Sequence, residues 1–360
     1  MKKKVGVVGY GGMGQWHVCS IAGTTYLNAI DFNESDVCEV IAIYDIDPAK
    51  NEKARKDGYK AYDTLEEFLS DKDIEIVVIA TPNDVHESIA IAAMEAGKHV
   101  ICEKPVTMSC EALENMIAAS EKHRRRFSVH QNRRYDDYFV GMKKISEDGT
   151  IGDIISIESR VHGDHGIPGD WRKVKAEGGG IVLDWGVHLI DQAIMILDGV
   201  KITSVYARLD NITNQEVDDG CHIVMTFENG VVYTVEVGTS NFINLPNFYM
   251  RGSKGTAVIE DWDSPMKVVI KKDGVEKDAV PIKAQQGLTK TMAPRDGDTT
   301  VTYLIDEPRV DVHDFYRNYC RAIDGIEPQI VTHAQMRRVM KVMETAFLSA
   351  ERNEVIKIEI

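Results

Sequence analysis

Three side chains have the types that a proton-transfer site needs, and they lie in two separate stretches of the chain. Lys104 follows a short apolar run, while Asp184 and His188 stand four residues apart ahead of a helical stretch. Four residues make about one helical turn, so this spacing predicts that the Asp184 carboxylate orients the His188 imidazole. A partly desolvated lysine near a positive charge has a lowered pKa and can polarise a hydroxyl. We therefore expect acid–base chemistry; a capping aspartate, a packed histidine and a solvated lysine are the structural alternative.

A glycine-rich turn near the start of the chain has the pattern of a dinucleotide site. The segment Gly9-Tyr10-Gly11-Gly12-Met13-Gly14 matches G-x-G-x-x-G, follows an apolar run and opens a helical stretch. The first glycine allows the tight bend, the second lets the backbone approach a pyrophosphate, and the third lets the helix pack on the strand. Free N–H groups at the helix start attract phosphate. We expect Gly9, Gly11, Gly12, Met13 and Gly14 to bind the cofactor; a tight turn without ligand is the alternative.

Asp45 ends the second apolar run, V-I-A-I-Y-D. A carboxylate at that position binds the ribose hydroxyls of the adenosine and repels a 2′-phosphate, which favours NAD over NADP. Asp45 follows Gly14 by 31 residues rather than the usual twenty or so, and the polar insertion at 22–36 accounts for the excess. A solvated acid at a strand end is the alternative interpretation.

The chain is predicted to fold into two domains, because 360 residues exceed the size of one ordinary hydrophobic core. Apolar runs alternating with helical stretches predict an α/β, doubly wound parallel sheet of the Rossmann type over 1–130. Longer alternating runs separated by turns predict an α+β domain with a large, mainly antiparallel open sheet over 131–360. The predicted strands are 5–8, 40–44, 59–62, 74–80, 99–102, 127–130, 154–160, 202–209, 223–227 and 231–237, and the later helices are 187–197, 312–323 and 334–352. The polar stretch 284–304 is predicted to be a long loop, which could be a lid, an oligomer arm or a surface insertion.

Composition and charge narrow the class of protein. A net charge of −15 makes nucleic acid and anionic membrane surfaces poor partners. The basic cluster at 122–126 stands at a predicted helix end, where it complements the helix dipole. Six scattered cysteines without a C-x-x-C pair, and an N-terminal apolar run too short for a leader, indicate a reducing cytoplasm.

Two further segments follow apolar runs where ligands of open parallel sheets bind, at the carboxyl ends of the strands. They are Thr81, Pro82, Asn83 and His86 after one run, and Glu103, Lys104 and Pro105 after the next. Both segments are placed to meet the ribose and nicotinamide of a dinucleotide.

The combination of G-x-G-x-x-G, E-K-P and G-G-G with D-x-G-x-H resembles the glucose-fructose oxidoreductase and inositol dehydrogenase family, Gfo/Idh/MocA, essentially from end to end. The resemblance implies that Lys104, Asp184 and His188 form the catalytic group, and that hydride passes between NAD and a secondary hydroxyl or ketone of a sugar, polyol or glycoside. It implies homodimers or homotetramers. It further implies cofactor or cleft contacts from Thr81, Pro82, Asn83, His86, Glu103, Asn132, Arg134, Trp171 and Arg172.

The resemblance leaves the substrate open, because the family spans inositols, sugars, sugar nucleotides and glycosides. His162, Asp164 and His165 follow the first strand of the second domain, where family members place substrate contacts, and they join Lys104, Arg134, Asp184 and His188 as expected substrate ligands. A metal site of two histidines and two aspartates is a weaker hypothesis, because known ligand spacings are missing; we predict no metal. A catalytically silent regulator that senses NAD and sugar, and an enzyme that keeps and recycles its NAD, are the alternative functions.

Overall fold

The first part of the chain forms the predicted doubly wound parallel sheet. A computed structural model describes residues 1–306 and 308–360. The elements of this part are β1 (Lys3–Val8), α1 (Gly12–Ala22), β2 (Thr25–Tyr26), β3 (Ile30–Asp31), β4 (Cys38–Tyr44), α2 (Pro48–Lys56), β5 (Lys60–Tyr62), α3 (Leu65–Ser70), β6 (Ile76–Ile79), α4 (His86–Glu95), β7 (His99–Cys102), α5 (Cys110–His123) and β8 (Phe127–Val129). The sheet order is β5-β4-β1-β6-β7-β8, with every pair parallel. All of β6 is buried, as expected of a central strand in a parallel sheet that helices cover on both faces.

The register of this sheet lines up the strand ends that carry the predicted site. Val8 pairs with Tyr44 on one side and with Ile79 on the other, and Ile79 pairs with Cys102. The residues that follow these four positions therefore leave the sheet along one edge. That edge is the crevice in which open α/β sheets bind their ligands.

The second part of the chain is built on a nine-stranded sheet. Its elements are α6 (Asp137–Glu147), β9 (Ile154–His162), α7 (Val187–Ile196), β10 (Ile202–Asp210), β11 (Gly220–Phe227), β12 (Val232–Gly238), β13 (Phe248–Gly252), β14 (Gly255–Ile259), β15 (Met266–Lys271), β16 (Ile282–Ala284), β17 (Gly287–Thr289), β18 (Thr300–Ile305), α8 (Asp314–Ile323), α9 (His333–Arg352) and β19 (Ile356–Lys357). The order is β18-β15-β14-β13-β9-β12-β11-β10-β19, antiparallel except where β12 lies parallel to β9. Alternate β9 residues are buried, and α6, α7 and α9 pack against this sheet. The predicted fold class is confirmed.

The last two helices reach back to the first sheet. The Tyr319 hydroxyl donates to the carbonyls of Val100 (2.7 Å) and Arg126 (2.8 Å), and Gln329 Nε2 donates to the Phe127 carbonyl (2.9 Å). These bonds satisfy backbone acceptors at the β7–β8 end of the sheet. The C-terminal helices are therefore part of the cover of the dinucleotide domain.

Two segments differ from a simple interpretation of the sequence. The stretch 284–304, predicted to be one long loop, holds part of the β16–β17 hairpin and most of β18, which pairs with β15 at the sheet edge. Its alternating T-V-T-Y-L run forms a strand because a partner edge is available. Separately, Lys175–Ile196 is apolar and long enough to cross a membrane by length and composition, but 78% of its apolar window is buried inside the fold, as in a core helix.

Candidate active site

The glycine turn after β1 combines tight packing with an open surface. Gly9 has a φ of +92°, and a side-chain carbon there would lie 2.5 Å from the Ala80 carbonyl oxygen. A carbon at Gly14 would lie 1.8 Å from the Gly9 oxygen, so α1 can approach the turn only with glycine there. A carbon at Gly11 would meet nothing within 4 Å. The outer glycines shape the turn, and Gly11 faces free space.

That free space is a cavity of about 730 Å³ between the two parts of the chain. Its lining combines the carboxyl edge of the parallel sheet with the loop that follows β9. The lining residues include Gly9, Gly11, Gly12, Met13, Asp45, Thr81, Pro82, Asn83, Glu103, Lys104, Asp170, Trp171, Arg172 and Glu177. Thr81 Oγ1 is buried and has no hydrogen-bond partner within the described chain, so it is free to bind a ligand. The glycine surface and this hydroxyl fit a dinucleotide.

Asp45 is held rigidly beside the glycine turn. Its Oδ2 accepts a hydrogen bond from the Tyr10 amide (2.6 Å) and its Oδ1 accepts one from the Asp47 amide (2.9 Å). The carboxylate is 5% exposed, and Lys50 Nζ lies 3.4 Å from Oδ2. The β2–β3 hairpin fills the insertion that lengthens the spacing from Gly14, and it leaves the strand end unchanged.

Lys104, which lines the cavity, meets Asp184 from the second part of the chain. Lys104 Nζ donates to Asp184 Oδ1 and to the Asp184 carbonyl oxygen, both at 3.0 Å, and Arg172 Nε donates to Asp184 Oδ2 at 3.2 Å. Burial raises the pKa of the Asp184 carboxyl, but the charges and hydrogen bonds of Lys104 and Arg172 outweigh burial and leave that pKa below its ordinary value. Asp184 is therefore an ionised clamp that fixes the lysine.

His188 lies close to this pair but is not bonded to it. The ring is buried, its Nδ1 has no hydrogen-bond partner among the described residues, and its edge meets Trp185 at 5.8 Å between ring centroids. Burial first, and then the charges of Lys104 and Arg133, hold the pKa of His188 well below its ordinary value. The imidazole is therefore held in its neutral form, which leaves one ring nitrogen with a lone pair.

The predicted bond between Asp184 and His188 is wrong. Val182–Gly186 forms a π-helical turn, and α7 begins only at Val187. A π turn is wider than an α turn, so four residues fall short of one full turn and the i,i+4 rule does not apply. The carboxylate is directed instead to Lys104 and Arg172.

Glu103 anchors a buried polar network that sequence analysis did not find. Its Oε1 accepts from His17 Nε2 (2.9 Å) and His130 Nδ1 (2.7 Å), and its Oε2 accepts from the Lys104 amide (3.1 Å). The Tyr316 hydroxyl bonds the other nitrogen of His17 at 2.6 Å. Burial would raise the pKa of Glu103, but His130 and His17 hold it well below its usual value. His17, Glu103 and His130 are metal-ligand types whose ligand atoms lie within 4.8 Å of one another, and the hydrogen bonds above join them directly.

The remaining predicted cofactor residues divide into two groups. Asn83 Nδ2 donates to the Gly178 carbonyl at 2.9 Å, which ties the first domain to the glycine run of the second, and Asn132 Oδ1 is buried without a partner within the described residues. His86, in contrast, is fully buried, and its ring nitrogens face the carbonyls of Pro105 (3.1 Å) and Thr81 (3.0 Å). His86, expected to contact the ribose, therefore joins two loops inside the fold, because the start of α4 turns its ring inward.

Arg134 and His162, expected to contact the substrate, are both engaged within the fold. Arg134 makes a two-pronged ion pair with Asp191 (2.6 and 2.7 Å) and donates to Gln335, so its charge is used inside the fold. His162 ends β9, where its Nδ1 accepts from the Leu245 amide and its Nε2 faces Glu236 at 3.6 Å.

Asp164 and His165 pair with each other on an exposed loop, and His165 is 96% exposed. They are absent from the cavity lining within the described chain. The structure therefore brings together Lys104, Asp184 and Arg172 beside His188, but it leaves the loop pair apart.

Comparisons with known proteins agree with this geometry. Residues 3–131 match the family model for the Gfo/Idh/MocA oxidoreductases, described as an NAD-binding Rossmann fold, and residues 139–258 match the Gfo/Idh/MocA C-terminal domain. The chain belongs to the Gfo/Idh/MocA oxidoreductase family. The dinucleotide expected at the glycine turn is thus the cofactor of an NAD-binding domain.

Individual relatives match this chain over different shares of its length. A solved NAD-binding protein from Listeria innocua is 43% identical, with a TM-score of 0.92 and 99% coverage of both chains. An uncharacterised oxidoreductase of Schizosaccharomyces pombe is 37% identical, but the match spans 47% of this chain and 46% of the relative. An inositol 2-dehydrogenase of Salmonella paratyphi B is 30% identical over 71% of this chain and 74% of its own. The scyllo-inositol 2-dehydrogenase (NADP(+)) of Bacillus subtilis is 24% identical over 99% and 96%.

Proposed function

We propose that this Gfo/Idh/MocA protein transfers hydride between NAD and a carbon that carries a secondary hydroxyl in a sugar, polyol or glycoside. The observation that carries the proposal is Lys104, which lines the cofactor cavity while Asp184 holds its ammonium group beside the neutral His188. An ammonium donor and a neutral base next to a nicotinamide site are what oxidation of an alcohol requires. The inositol dehydrogenases among the relatives act on substrates of this class.

In the oxidation direction, Lys104 Nζ donates a hydrogen bond to the substrate hydroxyl oxygen and stabilises the alkoxide as it forms. A ring nitrogen of His188 accepts the hydroxyl proton. The carbinol C–H bond breaks, its electron pair leaves with the hydrogen as hydride, and the C–O bond becomes a carbonyl. Bound NAD supplies the acceptor, C4 of the nicotinamide. Reduction of a ketone follows the same steps in reverse.

Asp184 and Arg172 act on the lysine rather than on the histidine. The ionised carboxylate fixes Nζ between its own Oδ1 and its backbone oxygen, and Arg172 fixes the carboxylate from the other side. Such positioning lowers the barrier because the donor needs no reorganisation when charge develops.

Asp45 supports a preference for NAD over NADP. Its nearly buried carboxylate lines the cavity beside the glycine turn, where the 2′-phosphate of NADP would meet a negative charge. The following residue, Ile46, is uncharged, and the nearby Lys50 is paired with Asp45 at 3.4 Å.

We also infer a homodimer or homotetramer and a cytoplasmic location. The outer face and edge of the nine-stranded sheet expose apolar side chains, among them Ile155, Leu304 and Ile305. Such a surface is typical of an association site. All six cysteines are unpaired, as in a reducing compartment. Light scattering of the purified protein tests the oligomer.

The proposed reaction is tested with a panel of polyols, monosaccharides and neutral glycosides incubated with NAD. We expect a rise in near-ultraviolet absorbance from reduced nicotinamide and, by mass spectrometry, a product two hydrogens lighter. An enzyme that recycles its NAD would give the product without the absorbance signal. Binding of NAD and a sugar with neither signal would instead indicate a silent regulator.

A further inference from the structure

An aromatic surface adjoins the reacting groups and takes no part in the mechanism above. The Trp185 and Trp262 rings stack with centroids 5.8 Å apart and planes 17° from parallel. The Arg133 guanidinium carbon lies 4.2 Å from the Trp185 centroid and 6.0 Å from that of Trp262. This arrangement holds both rings in place by stacking and cation–π attraction.

The surface leads outward from the catalytic histidine. Trp185 directly follows Asp184, and its ring meets the His188 ring at 5.8 Å. Trp262 lies in the turn between β14 and β15 and is 45% exposed, although tryptophan usually packs inside a fold. One end of the stacked pair therefore touches the reacting group, and the other end reaches solvent.

We propose that Trp185, Trp262 and Arg133 form a stacking subsite for a second ring, so that the preferred substrate is a neutral glycoside rather than a free monosaccharide or polyol. This inference rests on the proposed function. A sugar ring has an apolar face of C–H groups, and a flat aromatic ring gives that face a large, rigid contact. A single ring undergoing oxidation beside His188 would leave Trp262 uncovered, whereas a linked second ring would cover it.

The charges around the cleft support a neutral substrate. Lys104 and Arg172 both bond Asp184, and Arg133 Nη1 donates to Asp136 at 2.9 Å. Each of these three cations already has a carboxylate partner. A phosphate group would have to displace one of those carboxylates, so a sugar phosphate or a sugar nucleotide is disfavoured.

The test compares Trp262→Ala, Trp262→Phe and Tyr303→Ala with the wild-type protein. Tyr303 is a matched control because it is an aromatic residue with 44% exposure on the edge strand β18. The substrates are cellobiose, maltose and trehalose, each compared with glucose and myo-inositol. Turnover is measured as oxidised product by mass spectrometry, and folding is checked by the melting temperature.

We expect Trp262→Ala to raise KM about tenfold for at least one disaccharide while KM for glucose changes less than about twofold. Trp262→Phe should restore most of the affinity, and Tyr303→Ala should leave the disaccharide-to-glucose ratio unchanged. An unchanged ratio in Trp262→Ala, or an equal loss for glucose and disaccharides, would overturn the subsite.

A binding measurement separates failure of the subsite from failure of the proposed reaction. Saturation-transfer NMR with NAD present reports whether a disaccharide contacts the protein, even if nothing is oxidised. Contact that is lost in Trp262→Ala and kept in Trp262→Phe supports the subsite without turnover. Absence of contact with all three disaccharides, or contact that is equal in all variants, overturns it.

Discussion

The two walls of the cavity differ in how their side chains are positioned. On the first-domain wall, Gly9, Asp45, Thr81 and Lys104 follow strands whose pairing aligns their ends, so backbone register alone brings them together. In the second domain, Asp184 occupies a π turn, and His162, on a strand, does not line the cavity. Residues held by register are predictable from local sequence, whereas residues whose direction depends on an irregular turn are not.

The largest loss of kcat is expected when one proton-transfer group is removed from each domain. Lys104→Ala and His188→Ala should each lower kcat about 10² to 10⁴-fold, because each removes a group that acts on the reacting hydroxyl. Dissociation constants for NADH, measured by nicotinamide fluorescence, should change less than about threefold. Tyr303→Ala is the control. Near-wild-type kcat in either variant would show that the two walls do not share the chemistry.

The buried network of His17, Glu103 and His130 should make the stability of the protein depend on pH. The pKa of His17 falls from its ordinary 6.5 to about 4 in the fold, mainly because of burial and then the charge of His130. Between pH 6.5 and 4 the unfolded chain therefore binds a proton that the folded chain does not, so stability falls as pH falls. His17 alone should lower the free energy of unfolding by about 3 kcal/mol across this window, in addition to the effect of other histidines with lowered pKa, such as His99 and His188.

The same network gives its own control. His17→Gln keeps a donor for Glu103 but does not titrate, so its denaturant-unfolding curves should show a shallower loss of stability between pH 6.5 and 4 than the wild-type protein. Equal pH slopes for the two proteins would contradict the assigned state of His17. Metal analysis of the purified protein is expected to find no stoichiometric ion bound to the network.

A matched pair of glycine substitutions separates packing from ligand approach on the first wall. Gly14→Ala forces a carbon to within 1.8 Å of the Gly9 oxygen, so the free energy of unfolding should fall by about 2 kcal/mol. Gly11→Ala meets no protein atom and should keep the melting temperature, yet weaken NAD binding about tenfold because the methyl group occupies the pyrophosphate approach. Equal NAD affinity in Gly11→Ala would remove the turn from the cofactor site.

Asp45→Ser tests the cofactor preference with a smaller expected effect. Removing the carboxylate should improve the NADP-to-NAD ratio of kcat/KM about tenfold, since the repulsion of the 2′-phosphate is lost while a hydroxyl remains for the ribose. Asp47→Ser, at an exposed helix cap two residues away, serves as the control. A ratio that does not change would place the adenosine away from Asp45.

The smallest effects on kinetics are expected for His162 and Asp164, which sequence analysis placed among the substrate contacts. His162→Ala and Asp164→Ala should change KM and kcat less than about threefold, because neither side chain reaches the cavity. A selective tenfold rise in KM for either variant would show that its side chain contacts the substrate.

Particular residues show why the sequence predicts one wall better than the other. The strand ends that carry Asp45 and Lys104 follow from hydrophobic runs, and the catalytic residue types follow from motifs. The His17, Glu103 and Tyr316 contacts join positions far apart in the chain, and only the packing of α8 on the first domain reveals them. The sequence signal for this network is His17, a histidine on the buried face of α1. The role of Asp184 depends on a π turn, which residue spacing does not indicate.

Mass spectrometry of the sugar product with wild-type protein, Lys104→Ala and His188→Ala tests whether Lys104 and a neutral His188 together drive hydride transfer. We expect a ketone product, two hydrogens lighter than its substrate, from the wild-type protein and at least about a hundredfold less from each variant with NAD still bound. Binding of NAD and glycoside by the wild-type protein without any oxidised or reduced sugar would contradict this expectation.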